Sequence, residues 1–157
     1  MNGDKSNDLW ELNLETFSWT CIDKGTYLQP PSKNPSCSSP LPRIGAKLLF
    51  VDNCLILHNG HDAENEKLAD LWKFDLRLSK WTQLEQKGDV PQGRNGHSLS
   101  RYKDYLIMFG GIFDITKESE EFFVMHLPSL TWKQVDTAAG PVSLSELFHV
   151  KPQGTRE

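Results

Sequence analysis

At 157 residues, 38% of them hydrophobic and 24% charged, with a net charge of −4, the chain has the balance of a globular protein. The negative charge argues against a dedicated nucleic-acid or bilayer binder, and no apolar run approaches the roughly 18 residues of a membrane span. Three cysteines, Cys21, Cys37 and Cys54, are odd in number and lack metal-type spacing. Together with an N-terminus that has no apolar signal core, they lead us to expect an intracellular protein of the cytoplasm, with the nucleus as the second compartment left open.

In chain order, residues 1–6 are polar and read as a flexible lead. Residues 7–22 read as two strands: Leu9 to Leu14 alternates, with Trp10, Leu12 and Leu14 assigned to a buried face, and Phe17 to Ile22 follows after a turn at Glu15-Thr16. Residues 23–41 break the pattern with Pro30, Pro31, Pro35, Pro40 and several serines, the composition of an extended, solvated segment. Trp19 to Arg43 spans 24 residues where Trp81 to Arg94 spans 13, so we count an insertion of 11 and place it in a loop at 23–39.

From Pro40 the chain repeats itself. Residues 40–84 superpose on 91–135 with a shift of 51 and no gap, aligning Arg43 with Arg94, Gly45 with Gly96, Gly60 with Gly111 and Trp81 with Trp132. In each copy the predicted elements are an innermost strand (Ala46 to Phe50; Gly96 to Arg101), a tight turn (Asp52-Asn53; Lys103-Asp104) and a continuously apolar central strand (Cys54 to Leu57; Tyr105 to Phe109). A third strand (Leu71 to Leu76; Phe122 to Leu127) and a fourth through the tryptophan complete the unit. The stretch Asp8-Leu9-Trp10 with Trp19 repeats the second half of the unit around Asp70-Leu71-Trp72 with Trp81. A period of about 50 residues built of short strands and a glycine pair marks a propeller-type repeat, each unit one four-stranded blade.

Arg94-x-x-His97, Phe109-Gly110-Gly111 and Trp132 make the unit resemble the kelch repeat, over residues 7 to about 135. Asn59-Gly60 stands where the other copy has Gly110-Gly111, a mild departure because asparagine tolerates φ > 0. The resemblance implies an all-β fold, a partial kelch-type β-propeller of about two and a half to three four-stranded antiparallel blades. It also implies a scaffold role for Arg43, Arg94, Gly60, Gly110, Gly111, Trp10, Trp19, Trp72, Trp81 and Trp132. We expect the arginines to pair with backbone or a neighbouring blade and the tryptophans to pack between blades. Beyond residue 141 the repeat lapses, since Leu144 stands where an arginine belongs; 141–157 is read as a possible edge strand (Ser143 to Val150) and a polar tail.

Kelch propellers serve mostly as protein-binding platforms, so the resemblance implies a non-catalytic interaction module, scaffold or adaptor. The alternative is part of a catalytic kelch enzyme whose active residues lie in blades outside this chain. Within the chain no catalytic residue, metal site or cofactor is expected: His58-x-x-His61 lacks further ligands at fixed spacing, and His97 occupies a repeat position. The up-and-down strands put the short turns at one end of the blades and the longer loops at the other. The candidate partner-binding residues are accordingly His61, Asp62, Glu64, Glu66 and Lys67 in one spacer and Phe113, Asp114, Lys117, Glu118, Glu120 and Glu121 in the next. Glu85 and Lys87 between the repeats complete the set. Each spacer (61–69 and 112–120) counts to −2, which suggests a protein partner with a basic segment; further kelch blades, or self-association through open strand edges, are the other partners expected.

Overall fold

The computed structural model describes residues 5–25, 39–114, 117–140 and 147–148; the body of the Pro/Ser-rich insertion and the polar tail lie outside them. Among the described residues eleven strands form three sheets, which we number as blades. Blade 1 holds β1 (Leu9–Asn13) and β2 (Ser18–Asp23). Blade 2 holds β3 (Lys47–Val51), β4 (Cys54–His58), β5 (Leu71–Asp75) and β6 (Lys80–Leu84), in that spatial order. Blade 3 opens at its outer edge with the two-residue β7 (Lys87–Gly88), which runs parallel to β11 (Thr131–Val135). Inward from β11 come β10 (Phe122–His126), β9 (Tyr105–Phe109) and β8 (Ser98–Tyr102), all antiparallel neighbours.

Each predicted strand of the two complete blades is present to within one or two residues, because alternation and turn chemistry agree locally. Asp52 and Asn53 both take positive φ (46° and 62°), the twist a two-residue hairpin needs, and Lys103 does so at the equivalent turn. Gly60 and Gly111 sit at φ 102° and 97°, and a Cβ there would approach the Ala46 Cβ to 3.0 Å and the His97 Cβ to 2.8 Å. Only glycine lets the end of the central strand lie so close to the entry of the innermost strand.

Two cores lie between the blades. Val51, Ile56 and Leu71 of blade 2 meet Leu106, Met108, Phe123, Met125 and Trp132 of blade 3, whereas Trp72, Phe74 and Trp81 of blade 2 meet Leu9 and Ile22 of blade 1. The central strands β4 and β5 therefore bury both faces, which is why they read as largely apolar runs. Trp132 is completely buried, its indole N–H donating to Gln86 Oε1 at 2.7 Å, and the Trp81 indole donates to Asp23 Oδ2 at 2.9 Å. Each fourth-strand tryptophan thus reaches the segment that leaves the blade before it.

Blade 1 departs from expectation. Its register, Leu12 opposite Trp19 and Trp10 opposite Cys21, follows an irregularity between Leu9 and Trp10. The side turned to blade 2 is that of Leu9 and Ile22; Trp10, Leu14 and Trp19 are 50%, 75% and 63% exposed. The assignment of Trp10 and Leu14 to a buried face is corrected accordingly, whereas Leu12 stays half-buried: strand alternation shows that two faces differ, not which one has a neighbour. At the other end, the expected edge strand from Ser143 to Val150 lies outside the described residues apart from Leu147 and Phe148, and the Phe148 ring lies against Tyr105 and His126 at 5.4 and 5.7 Å.

The two tryptophan environments make a direct comparison. Trp132→Ala should cost about 3 to 5 kcal/mol in urea unfolding, as large-to-small core changes do, while Trp19→Ala should stay within about 1 kcal/mol. Equal effects of the two substitutions would contradict the inter-blade packing described.

Candidate functional site

Each complete blade is closed at its loop end by one repeated construction. Arg43 donates to both carboxylate oxygens of Asp70, at 2.5 and 2.8 Å, and to the backbone carbonyls of Leu41 and Asn59. Arg94, 51 residues on, donates to Glu121 at 2.7 Å, to Ser119 Oγ and to the carbonyls of Gln92 and Gly110. Both arginines are buried, with side chains only 4% and 1% exposed. Their side chains pair with backbone, as expected, and each binds the acid that opens the third strand of its own blade; their main chains reach the neighbouring blade, Arg43 N–H donating to the Ser6 carbonyl and the Arg94 carbonyl accepting from Gly60 N–H. Glu121, one of the partner-binding candidates, has its carboxylate held by Arg94 and Ser119, which keep it acidic against the opposing effect of burial. The shared spacing of 27 residues from arginine to acid in both repeats (43 to 70, 94 to 121) was a usable signal that residue-type reasoning passed over.

Above these clamps the two spacers stand side by side. Backbone bridges join Ile44 to His61 and His61 to Lys67 in blade 2, and Asn95 to Ile112 and Ile112 to Glu118 in blade 3. The Asp62 carboxylate accepts the N–H groups of Glu64 and Glu66, so the first spacer is shaped by its own side chain. Lys5 reaches the Asp62 carbonyl from the N-terminal side. Between the spacers lies a cleft of about 700 Å³, lined by Glu64, Asn65, Glu66 and Lys67 from blade 2 and by Gln92, Gly93, Phe113 and Asp114 from blade 3. Phe113 is half-buried, its ring 5.9 Å from the Arg94 guanidinium, so the same cation that clamps the blade also braces the cleft's one aromatic side chain.

The remaining candidates are placed elsewhere. Glu118 lies in a separate shallow depression with Gly96, Ser98 and Phe109, and Glu120 beside Gln134 and Asp136 in another. Lys117 is exposed outside these three depressions. Lys87 pairs with Thr131 as part of β7, so its backbone belongs to blade 3 rather than to a free loop, and Glu85 is exposed away from the cleft. Gln92 and Gly93, which do line the cleft, had no marker in the sequence beyond their place in a loop.

A second feature was invisible from spacing alone. His58, which has no counterpart in the other repeat, meets His97 across the blade 2 to blade 3 interface, Nδ1 to Nε2 at 3.1 Å, and Trp132 packs on it at 5.3 Å. Neither ring is exposed. Burial depresses both pKa values, aided for His58 by His97, Arg94 and Arg43 and for His97 by Lys47 and Arg94; His58 falls well below 6.5 and His97 to about 4. Both imidazoles are therefore neutral at physiological pH, one donating to the other. No group of three or more metal-ligating side chains occurs among the described residues.

The family model of the KLHDC2/KLHL20/DRC7 Kelch-repeats domain matches residues 1–150. The chain is 26% identical over 141 residues to acyl-CoA-binding domain-containing protein 5 of Arabidopsis thaliana, covering 89% of this chain and 22% of that protein. It is 23% identical over 143 residues to Kelch domain-containing protein 3 of Bos taurus (90% and 36%). It is 30% identical over 112 residues to an F-box/kelch-repeat protein of Arabidopsis thaliana (66% and 23%). The chain thus spans about a fifth to a third of the length of these relatives.

The histidine pair sets a pH dependence with a defined sign. A folded-state pKa below that of the unfolded chain means that unfolding takes up protons, so stability is complete above pH 6.5 and declines as the pH falls toward 4. Between pH 7 and 5 we expect a loss of roughly 2 kcal/mol from His97 alone, with His58 adding to it in the same direction. Urea titrations of the parent and of His97→Asn check this: the parent should lose more than the variant, and parallel losses would show that other groups carry the dependence.

Proposed function

The chain belongs to the kelch-repeat family, whose domains are generally protein-interaction modules, and from that premise we propose that it is a non-catalytic binding platform that takes protein partners at the loop end of its blades. The observation that carries this reading is the cleft between the spacers. Glu64, Glu66 and Asp114 set three carboxylates against the single ammonium of Lys67 around the half-buried ring of Phe113. Aromatic anchors inside a polar rim are the usual energetic centres of interfaces, and carboxylates flanking the anchor select a cationic neighbour and repel an acidic one. The partner that fits is an extended protein segment with lysine or arginine next to an apolar side chain.

The opposite end offers less. Its turns are short, and Asp52 is engaged by Arg101 of the next blade at 2.9 and 3.0 Å. Function placed on loops carried by a rigid scaffold is the general pattern, and here the loops are held by the buried arginine clamps beneath them.

The test is a comparison of proteins captured by the parent chain with those captured by Phe113→Ala and by the double variant Glu64→Lys, Glu66→Lys. A partner should be retained by the parent and lost by both variants, with unfolding free energies within about 1 kcal/mol of the parent. Retention by both variants, with loss instead on substitution in the short turns, Asp52→Ala or Lys103→Ala, would move the binding surface to the other end.

A further inference from the structure

The two arginine clamps differ in how the guanidinium is satisfied. In blade 2 the Arg43 fork takes both carboxylate oxygens of Asp70, and Leu68 stands two residues before that acid. In blade 3 the column of Leu68 holds Ser119, and the fork is divided: Nη2 donates to Glu121 Oε2 at 2.7 Å and Nη1 to Ser119 Oγ at 3.1 Å. The hydroxyl in turn donates to Glu121 Oε2 at 2.9 Å, so hydroxyl and carboxylate share one cation. Blade 2 closes its clamp without a hydroxyl, which means that the scaffold does not require the one at Ser119.

Ser119 also stands where it can be reached. It is half-buried between the exposed Glu118 and Glu120, and it lines an open depression of about 350 Å³ together with Ser98 and Phe109. Main-chain bonds hold the segment: Ser119 N–H donates to the Gly111 carbonyl at 2.8 Å and Gly110 N–H to the Glu121 carbonyl at 3.1 Å. Neither uses a side chain, so the Glu121 carboxylate is able to turn while the backbone stays in place. That side chain is 40% exposed, and its other oxygen, Oε1, already accepts from Gln134 Nε2 at 3.5 Å.

We propose that Ser119 is a phosphorylation site and that its phosphate takes Arg94 over from Glu121. In the transfer, Ser119 Oγ attacks the terminal phosphorus of a kinase-bound ATP, the bond from that phosphorus to the bridging oxygen breaks, ADP leaves, and the hydroxyl proton passes to the base of the kinase. The phosphate brings about −1.5 to −2 charges at pH 7 and three acceptor oxygens. It repels the neighbouring Glu121 carboxylate, and it offers paired oxygens to the Arg94 fork, whose Nη1 already touches the atom that carries it. The more highly charged anion keeps the cation, and Glu121 turns toward Gln134 and solvent. Glu118 and Glu120, exposed on either side of the acceptor, suit a kinase with a basic substrate groove. Arg94 also braces Phe113, so the exchange reaches the cleft proposed for partners; the phosphorylation site itself needs no partner there.

The test treats the whole folded chain with ATP, magnesium and an acid-directed serine/threonine kinase and locates the phosphate by peptide mass spectrometry. Phosphate should appear on Ser119, and Ser119→Ala should lose that increment; a chain left unmodified, or modified only at other serines, overturns the site. Phosphorus NMR then identifies the partner. Free phosphoserine titrates near about 6, and in the folded, phosphorylated chain the midpoint should lie below that of the same sample in urea by about 0.5 or more, because an adjacent cation favours the dianion. A folded midpoint equal to or above the one in urea means that Glu121 has kept Arg94, and overturns the exchange. The drop should survive Lys117→Gln; its disappearance in that variant would assign the cation to Lys117 and likewise overturn the exchange.

Discussion

The buried arginine of each complete blade is the constraint on which the rest depends. A guanidinium that is 4% or 1% exposed is tolerable only with its charge and its donors satisfied, and Arg43 and Arg94 meet that requirement with one carboxylate and two carbonyls apiece. Its partners come from three separated pieces of a repeat: the entry segment, the end of the central strand and the start of the third strand. One planar cation with several donors fixes all three at once, a role a lysine ammonium fills poorly. Loss of one partner would leave an uncompensated buried charge, costing about 3 to 5 kcal/mol.

That geometry explains where the spacers stand. The segment between the glycine pair and the acid is pinned at both ends by the clamp, so it must leave and return over the same small area and project beyond the blade. Most of its residues are free to vary in type because the clamp uses backbone carbonyls and a single acid, joined in blade 3 by the Ser119 hydroxyl. Neighbouring blades then bring successive spacers together, and the cleft walled by Glu64, Glu66 and Asp114 is a product of blade stacking rather than of either spacer alone. Phe113 is tied to the scaffold through Arg94, which limits the ordering cost of presenting an aromatic side chain to a partner.

Between the blades the adhesive is apolar, with polar contacts at chosen points. Trp81 and Trp132 fill the space, and their indole N–H groups reach back along the chain to Asp23 and Gln86. The Asp52 to Arg101 pair crosses the interface of blades 2 and 3 at the turn end, where exposure makes it worth little. The neutral His58 to His97 pair is different in kind, because it places titratable groups at the centre of a buried interface next to Arg94. Among the described residues blade 2 has neighbours on both sides and its central strands are buried on both, blade 1 has one, and Trp10 and Trp19 are left exposed.

Much of this was legible in the chain before any coordinates. The 51-residue period, the apolar runs of β4 and β9, the Asp52-Asn53 and Lys103-Asp104 turns and the glycine pairs determined the blades, because each is a local rule acting over a few residues. The arginines were recognisable as scaffold, since a residue that recurs with the repeat serves the repeat. What only the tertiary structure decided were the partners. Asp70 and Glu121 lie 27 residues from their arginines, His58 lies 39 from His97, and Gln86 lies 46 from Trp132; in each case the contact depends on how strands and blades stack. For the same reason sequence could place Glu64, Glu66, Phe113 and Asp114 at one end of the fold but could not join them into a cleft, nor separate them from Glu118, Glu120 and Glu121. Local pattern sets the strand, and the burial of one blade against the next sets which side chains meet.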